Sequence, residues 1–179
     1  AQARARFLEA AATAGLPVQS HPHPLPGSEG EALALDVARD GPLDADKLLI
    51  VSSACYGVEG FCGSGVQVYA LHDQEWRAAA HAQGVAVLYL HALNPYGFSH
   101  LRRVTHENVD LNRNFQDFGQ PLPVNTDYAA IAHLVIPDAW PPGAANQAAV
   151  QQYLATHGES AWHAHQGQRV VEYQQALQT

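Results

Sequence analysis

Several things are scarce in this sequence, and each scarcity excludes something. It has two cysteines, no methionine, and only 15% charged residues in 179 positions. Two thiols, Cys55 and Cys62, cannot build the disulfide framework of a small secreted domain, and they fit a reducing, cytoplasmic setting. Methionine is missing even at position 1, so the chain is expected to begin downstream of its translation start. No apolar run approaches the ~18 residues that span a bilayer. The stretch Ala1–Ala14 carries Arg4, Arg6 and Glu9 where a signal peptide would be apolar. A formal net charge of -8 provides no general attraction to nucleic acid or to an anionic membrane.

What is present is the composition of one packed domain, 1–179, with 47% apolar residues and enough length for a core. Phe7, Leu8, Ala11 and Ala12 recur at helical spacing, and Gly15 and Pro17 end that helix. The alternating prolines of His21-Pro22-His23-Pro24-Leu25-Pro26-Gly27 exclude helix and read as an extended linker. Its two histidines have no third metal donor beside them. Leu33, Leu35 and Val37 alternate with Ala34 and Asp36, which predicts a half-buried strand. Leu48 to Val51 is apolar on both faces, the pattern of an interior strand covered by helices on each side.

Phe61, Val66, Tyr69 and Ala70 predict a helix packed on the sheet. Asp73 caps the next, with Trp76, Ala79 and Ala80 inward and Gly84 closing it. Val85 to Leu90 is a second apolar strand, so the two strands and the helices between them make a right-handed βαβ crossover. Both strand exits then reach one edge of the sheet, where open α/β sheets bind ligands. That topology brings His91 and Asn94 near Glu59. Phe98 to Gln120 is irregular and polar. Thr126 is expected to cap a helix with Tyr128, Ile131 and Val135 on one face, stopped by Pro137. Further helices are predicted around Val150, Tyr153 and Leu154 up to Gly158, and along Trp162, Val170, Tyr173 and Leu177.

Chemistry concentrates in two places. Arg102, Arg103 and Arg113 bring three of the nine Lys+Arg into the irregular stretch, with Asn112 and Asn114 beside Arg113. Arginine grips a carboxylate in a bidentate fork and a neighbouring amide adds a hydrogen bond. The alternative is a salt-bridge network with Glu107, Asp110 and Asp117. His100 and His106 flank the arginines, as substrate-side or solvated residues. His163 and His165 stand two apart on a helix, facing different ways, and read as surface.

The other place is the exit after Val51. Cys55 there reads either as a thiolate nucleophile beside a histidine or as a small residue filling the rim. Gly63-Ser64-Gly65 lacks the spacing of a nucleophile elbow. Glu59 follows Tyr56 by three. Zinc hydrolases pair two ligands close in sequence with a third from elsewhere, and His-x-x-Glu would suit; the chain has Tyr-x-x-Glu.

Three segments in this order resemble the zinc carboxypeptidase superfamily: Ser53-Ala54-Cys55-Tyr56-Gly57-Val58-Glu59-Gly60-Phe61, His91-Ala92-Leu93-Asn94-Pro95-Tyr96-Gly97-Phe98 and Asp110-Leu111-Asn112-Arg113-Asn114-Phe115. The likeness runs from about Leu33 to Phe115 and points to a bacterial branch of uncharacterised carboxypeptidase-like proteins. It implies an α/β fold with a mixed, mainly parallel sheet flanked by helices, phosphorylase/hydrolase-like, here as the N-terminal part of a larger domain. It implies a zinc-dependent hydrolase that cleaves an amide bond next to a free carboxylate in a small molecule or peptide. Residue by residue, Glu59 and Tyr56 occupy the two zinc-ligand positions of the first motif. Asn112 and Arg113 hold the substrate carboxylate, and Arg102 or Arg103 faces the developing oxyanion.

Tyr56 departs from the family pattern, because a phenol ligates only after losing a proton of pKa near ~10. No segment after Phe115 matches the family's third ligand or its general base. The alternative to the hydrolase is therefore a metal-free carboxylate-binding module.

Overall fold

The computed structural model describes residues 1–121, 124 and 126–167, with side chains described through position 163. The chain divides into two compact units, Ala1–Leu111 and Asn112–Thr179.

The first unit contains α1 (Gln2–Thr13), β1 (Val18–Pro22), β2 (Ala34–Asp40), β3 (Lys47–Ser52), α2 (Gly60–His72), α3 (Gln74–Ala82), β4 (Val85–His91) and α4 (Pro95–Ser99). Its sheet runs β1-β2-β4-β3. The β3–β4 pair is parallel, Leu48 opposite Ala86, which gives the predicted crossover through α2 and α3. β2 pairs antiparallel with both β4 and β1, so the sheet is mixed and the α/β class holds. Asp73 caps α3 by accepting from the Trp76 N–H at 2.9 Å. Gly84 ends that helix region at φ 68°, where a Cβ would be strained.

Four expectations change in detail. The supposed linker begins as structure, because His21 and Pro22 belong to β1. β1 is an edge strand, and proline is tolerated there. β3 is also an edge strand rather than an interior one, and its Leu48, Leu49 and Ile50 are 48%, 44% and 56% exposed.

β2 turns the face opposite to the expected one inward. Ala34, Asp36, Ala38 and Asp40 are buried while Leu35 and Val37 are only half-buried. The two carboxylates are tolerated because each is paired. Arg4 Nε lies 2.7 Å from Asp36 Oδ2, and Ser20 donates to Asp36 Oδ1 at 2.5 Å. Arg77 Nε lies 2.6 Å from Asp40 Oδ2, with His81 Nε2 3.0 Å from Asp40 Oδ1.

α2 repeats the inversion. Gly60, Ser64, Gln67 and Leu71 are buried, whereas Phe61, Val66 and Tyr69 are exposed. Gln67 is held inside by donating to Val51 O (2.8 Å) and Leu90 O (3.2 Å). The apolar core gathers Phe7, Ala10, Ala11, Ala38, Leu71, Val87 and Tyr89 between α1, α2 and the sheet.

In the second unit, α5 (Thr126–Val135) and α6 (Ala144–Gly167, broken at Gly158, φ 80°) pack around Tyr128, Ile131 and Leu134. The stripe expected at Val170, Tyr173 and Leu177 lies outside the described residues. Among the described residues no helix is long and apolar enough to cross a membrane.

Candidate functional site

Because β3 and β4 run parallel, both deliver their C-terminal ends to the same edge. The two exits are joined there by backbone. Leu93 N–H donates to Ser53 O (3.0 Å) and Asn94 N–H to Ala54 O (2.9 Å). Ala54 and Ala92 take positive φ angles of 54° and 65°, an uncommon state for residues with a side chain. Asn94 accepts from Gly97 N–H at 2.8 Å and so caps α4. Gly57 lets the first motif lie directly on the second: a Cβ there would stand 2.6 Å from Arg102 N and from Leu101 C. The approach of the two exits expected from topology is therefore present.

One side of this edge carries a polar clasp. Arg103 Nε donates to Asp110 Oδ2 at 2.7 Å, and its Nη2 donates to the Tyr56 hydroxyl at 3.0 Å. The guanidinium carbon lies 4.3 Å from the centre of the Tyr56 ring, a cation–π contact. Asp110 is buried. The hydrogen bond to Asp110 holds the arginine more firmly protonated than usual, with further support from the carboxylate charges of Asp110 and Glu59. Arg102 turns elsewhere, its Nη2 donating to Asn108 Oδ1 at 3.2 Å. Of the two candidate arginines, Arg103 is the one that reaches the Tyr56 corner.

Glu59 stands at the N-cap of α2, exposed and without a side-chain capping bond. Asn112 and Arg113 belong to the second unit, in a 3-10 turn at Leu111–Arg113, and both are exposed. Cys55 lies beside the clasp. Burial and then the charge of Asp110 push its thiol up, outweighing Arg103, so the environment opposes a thiolate and favours the packing reading.

The Tyr56 hydroxyl already accepts from a guanidinium, and an ion bound at that oxygen would face a second positive charge. Among the described residues no three His, Cys, Asp or Glu are grouped to hold a metal ion. Tyr56 and Glu59 do not make a zinc site with the donors around them.

Two further groupings were not foreseen. Ser64 Oγ and His91 Nε2 are 3.0 Å apart, both residues buried, with His91 pushed down to about 4 by burial. The hydroxyl is closed off, which suits a structural bond between α2 and β4. Near it a cavity of about 350 Å³ is lined by Arg4, Glu31, Leu33, Phe61, His91 and Phe98, among others. The second grouping is aromatic: Tyr96 stacks on His100 (4.1 Å) and lies near His23 (5.7 Å) and His106 (5.8 Å). The sequence separation between His23 and His106 hid it.

Over residues 1–172 the chain matches the family described as "Protein of unknown function (DUF2817)", and it belongs to that family, which is related to the zinc carboxypeptidase-like superfamily. A search among curated proteins finds no significant match. Among solved structures, an esterase LipW from Mycobacterium marinum is similar at 16% identity and TM-score 0.28, over 50% of this chain and 26% of that one. A Porphyromonas gingivalis glutaminyl cyclase is similar at 13% identity and TM-score 0.30, over 64% of this chain and 47% of that one. The chain thus spans about a quarter of the first of these structures and about half of the second, and at these scores the likenesses carry no argument.

Proposed function

We propose that this member of the DUF2817 family is a carboxypeptidase-like binding module that holds a small molecule or peptide by a free carboxylate, without a metal of its own. The observation that carries this reading is the bond from Arg103 to the Tyr56 hydroxyl. The place that the resemblance gives to a neutral imidazole ligand is taken by a phenol, and that phenol is committed to a cation. Asn112 and Arg113 supply the carboxylate grip, in the roles the resemblance implies for them, through a bidentate fork and an amide.

A second reading rests on Glu59, which stands at the zinc-ligand position the resemblance implies and makes no capping bond, so its carboxylate is not engaged by the helix end. On it the chain is part of a zinc-dependent hydrolase acting beside a free carboxylate. It requires donors other than those around Tyr56.

The test uses zinc content and calorimetry together. Purified protein dialysed against zinc is expected to retain less than stoichiometric metal, while Tyr56→His gains affinity. A short peptide with a free C-terminus is expected to bind metal-free protein, and its C-terminal amide is not. Arg113→Ala is expected to weaken the free peptide at least about tenfold. Stoichiometric zinc with metal-dependent peptide cleavage by the unaltered chain overturns the binding-module reading in favour of the second. Peptide affinity unchanged in Arg113→Ala removes the carboxylate grip from either.

A further inference from the structure

His23 leaves β1 and begins a strap, residues 23–33, that leads to β2. The strap is fastened to α4 at one end. Ser28 N–H donates to Ser99 Oγ (3.0 Å), Ser28 Oγ to Ser99 O (3.1 Å), and Ser99 Oγ to Glu31 (2.5 Å). The other fastening is His23 itself, whose Nε2 lies 3.2 Å from His106 Nδ1, the rings edge to face at 4.8 Å. His106 lies in a turn closed by Asn108 N–H to Thr105 O (3.0 Å) and Thr105 N–H to Val109 O (2.9 Å). That turn connects Arg103 to Asp110, the two ends of the clasp on Tyr56.

The protons in this contact can be counted. His23 Nδ1 is 3.1 Å from both Leu25 N and Leu25 O, so it can accept from one or donate to the other. When both rings are neutral, either arrangement leaves one proton between His23 Nε2 and His106 Nδ1. Adding one proton disturbs nothing. His23 then donates to Leu25 O and to His106 at once. Alternatively the charge rests on His106, whose Nε2 is 3.8 Å from Glu107 Oε1. A second proton sets two N–H groups and two like charges against each other across 3.2 Å, and the hydrogen bond is lost.

We propose that His23 and His106 form a one-proton latch, which ties the strap to the Thr105–Val109 turn while the pair holds at most one extra proton and releases it when both rings are charged. The surrounding charged and titratable groups are Tyr96 and His100 on the α4 side, Glu31 on the strap, and Arg102, Arg103, Glu107 and Asp110 around the turn. Glu107 Oε1 lies 3.8 Å from His106 Nε2, on the side of the ring away from His23. Arg103 is already balanced by Asp110. Release frees the turn that spaces Arg103 from Asp110, and so loosens the clasp. The latch stands independently of the proposed function.

Imidazole changes charge between about pH 5 and 8, and hydrogen exchange read by mass spectrometry across that range tests the latch. Corrected for intrinsic rate, peptides covering 23–33 and 104–109 are expected to keep their protection through the first proton. They then lose at least roughly tenfold at the second, the worth of one hydrogen bond with a charged partner, while β4 serves as the internal control. His106→Asn places a carbonyl oxygen where Nδ1 was and accepts from His23 in every protonation state, so its strap should stay protected. No acid-dependent loss in the unaltered protein, or an equal loss in the variant, overturns the proposal. If the variant does not fold, 15N imidazole spectra of the unaltered protein decide: two coupled steps shared by His23 and His106 support the latch, and two independent single-step curves refute it.

Discussion

Gly57→Ala measures how closely the first motif lies on the second. A Cβ at position 57 would meet Arg102 N and Leu101 C at 2.6 Å and Gly97 O at 2.7 Å. These are backbone atoms. Arg102 N–H is moreover bonded to Gly97 O at 2.8 Å, so neither atom can move away alone without breaking that bond. Overpacking of this kind costs about 1–3 kcal/mol, and the absence of a flexible neighbour puts it at the upper end. Alanine restricts the unfolded chain and returns about 0.5–1 kcal/mol, leaving a net loss near ~2 kcal/mol. For a protein of this size that lowers Tm by about 4–8 °C.

Gly65→Ala is the matched control. Gly65 lies within α2, is exposed, and has nothing within 4 Å of an added Cβ. The same chemical change should there stabilise by about 0.5–1 kcal/mol. Urea titration followed by far-ultraviolet circular dichroism gives both values, and equal m-values show that the denatured states match. The reasoning fails if Gly57→Ala is as stable as the unaltered chain, or shifts in the same direction as Gly65→Ala.

Two further outcomes follow from buried charge. Asp40→Ala leaves Arg77 with only Ala14 O at 3.1 Å and should cost about 3–5 kcal/mol, as for other broken buried pairs; a loss under about 1 kcal/mol in chemical denaturation would show that the pair is not needed. His91 is held down at about 4 by burial, against ~6.5 for a free imidazole. The unfolded chain binds the extra proton between those values, so stability rises with pH across the window and is lost as pH falls from ~6.5 to about 4, by about 3 kcal/mol in full. His91→Gln, which can still face Ser64, should flatten that part of the stability–pH curve; an identical slope in both proteins would refute the assignment.

What could be read in advance was the part written in backbone terms. The apolar runs before Ser52 and His91, the Asp73 cap and the Gly84 stop defined the parallel pair and the edge where Ala54 and Asn94 meet. What could not be read was which face of an element points inward. Periodicity favoured Leu33, Leu35 and Val37 over Ala34 and Asp36, yet Asp36 is buried, as is Asp40 beyond it. The buried carboxylates are satisfied by Arg4 and Arg77, partners 32 and 37 positions away, and no local pattern reports such pairing. Leu48 to Val51 looked interior because composition does not show how many neighbours a strand has. The Tyr56–Arg103 contact was hidden for the same reason, with 47 positions between its members.

That contact also changes how the first motif is understood. If, as the resemblance implies, a phenol stands at an imidazole position, the corner need not be defective, because its acceptors are arranged around a positive charge. Asp110 and Glu59 act to keep the Arg103 guanidinium charged, and Asp110 and the Tyr56 hydroxyl accept from it directly. The cation at this corner is covalently part of the chain and carries only donors. It cannot accept a bond or activate water, but it can hold an anion. Tyr56→Phe therefore separates two roles for the clasp. If the hydroxyl only fixes Arg103, its loss should loosen the 104–109 turn in hydrogen exchange while peptide carboxylate affinity falls in step. If affinity is unchanged while the turn loosens, the clasp is structural and the carboxylate grip belongs to Asn112 and Arg113 alone.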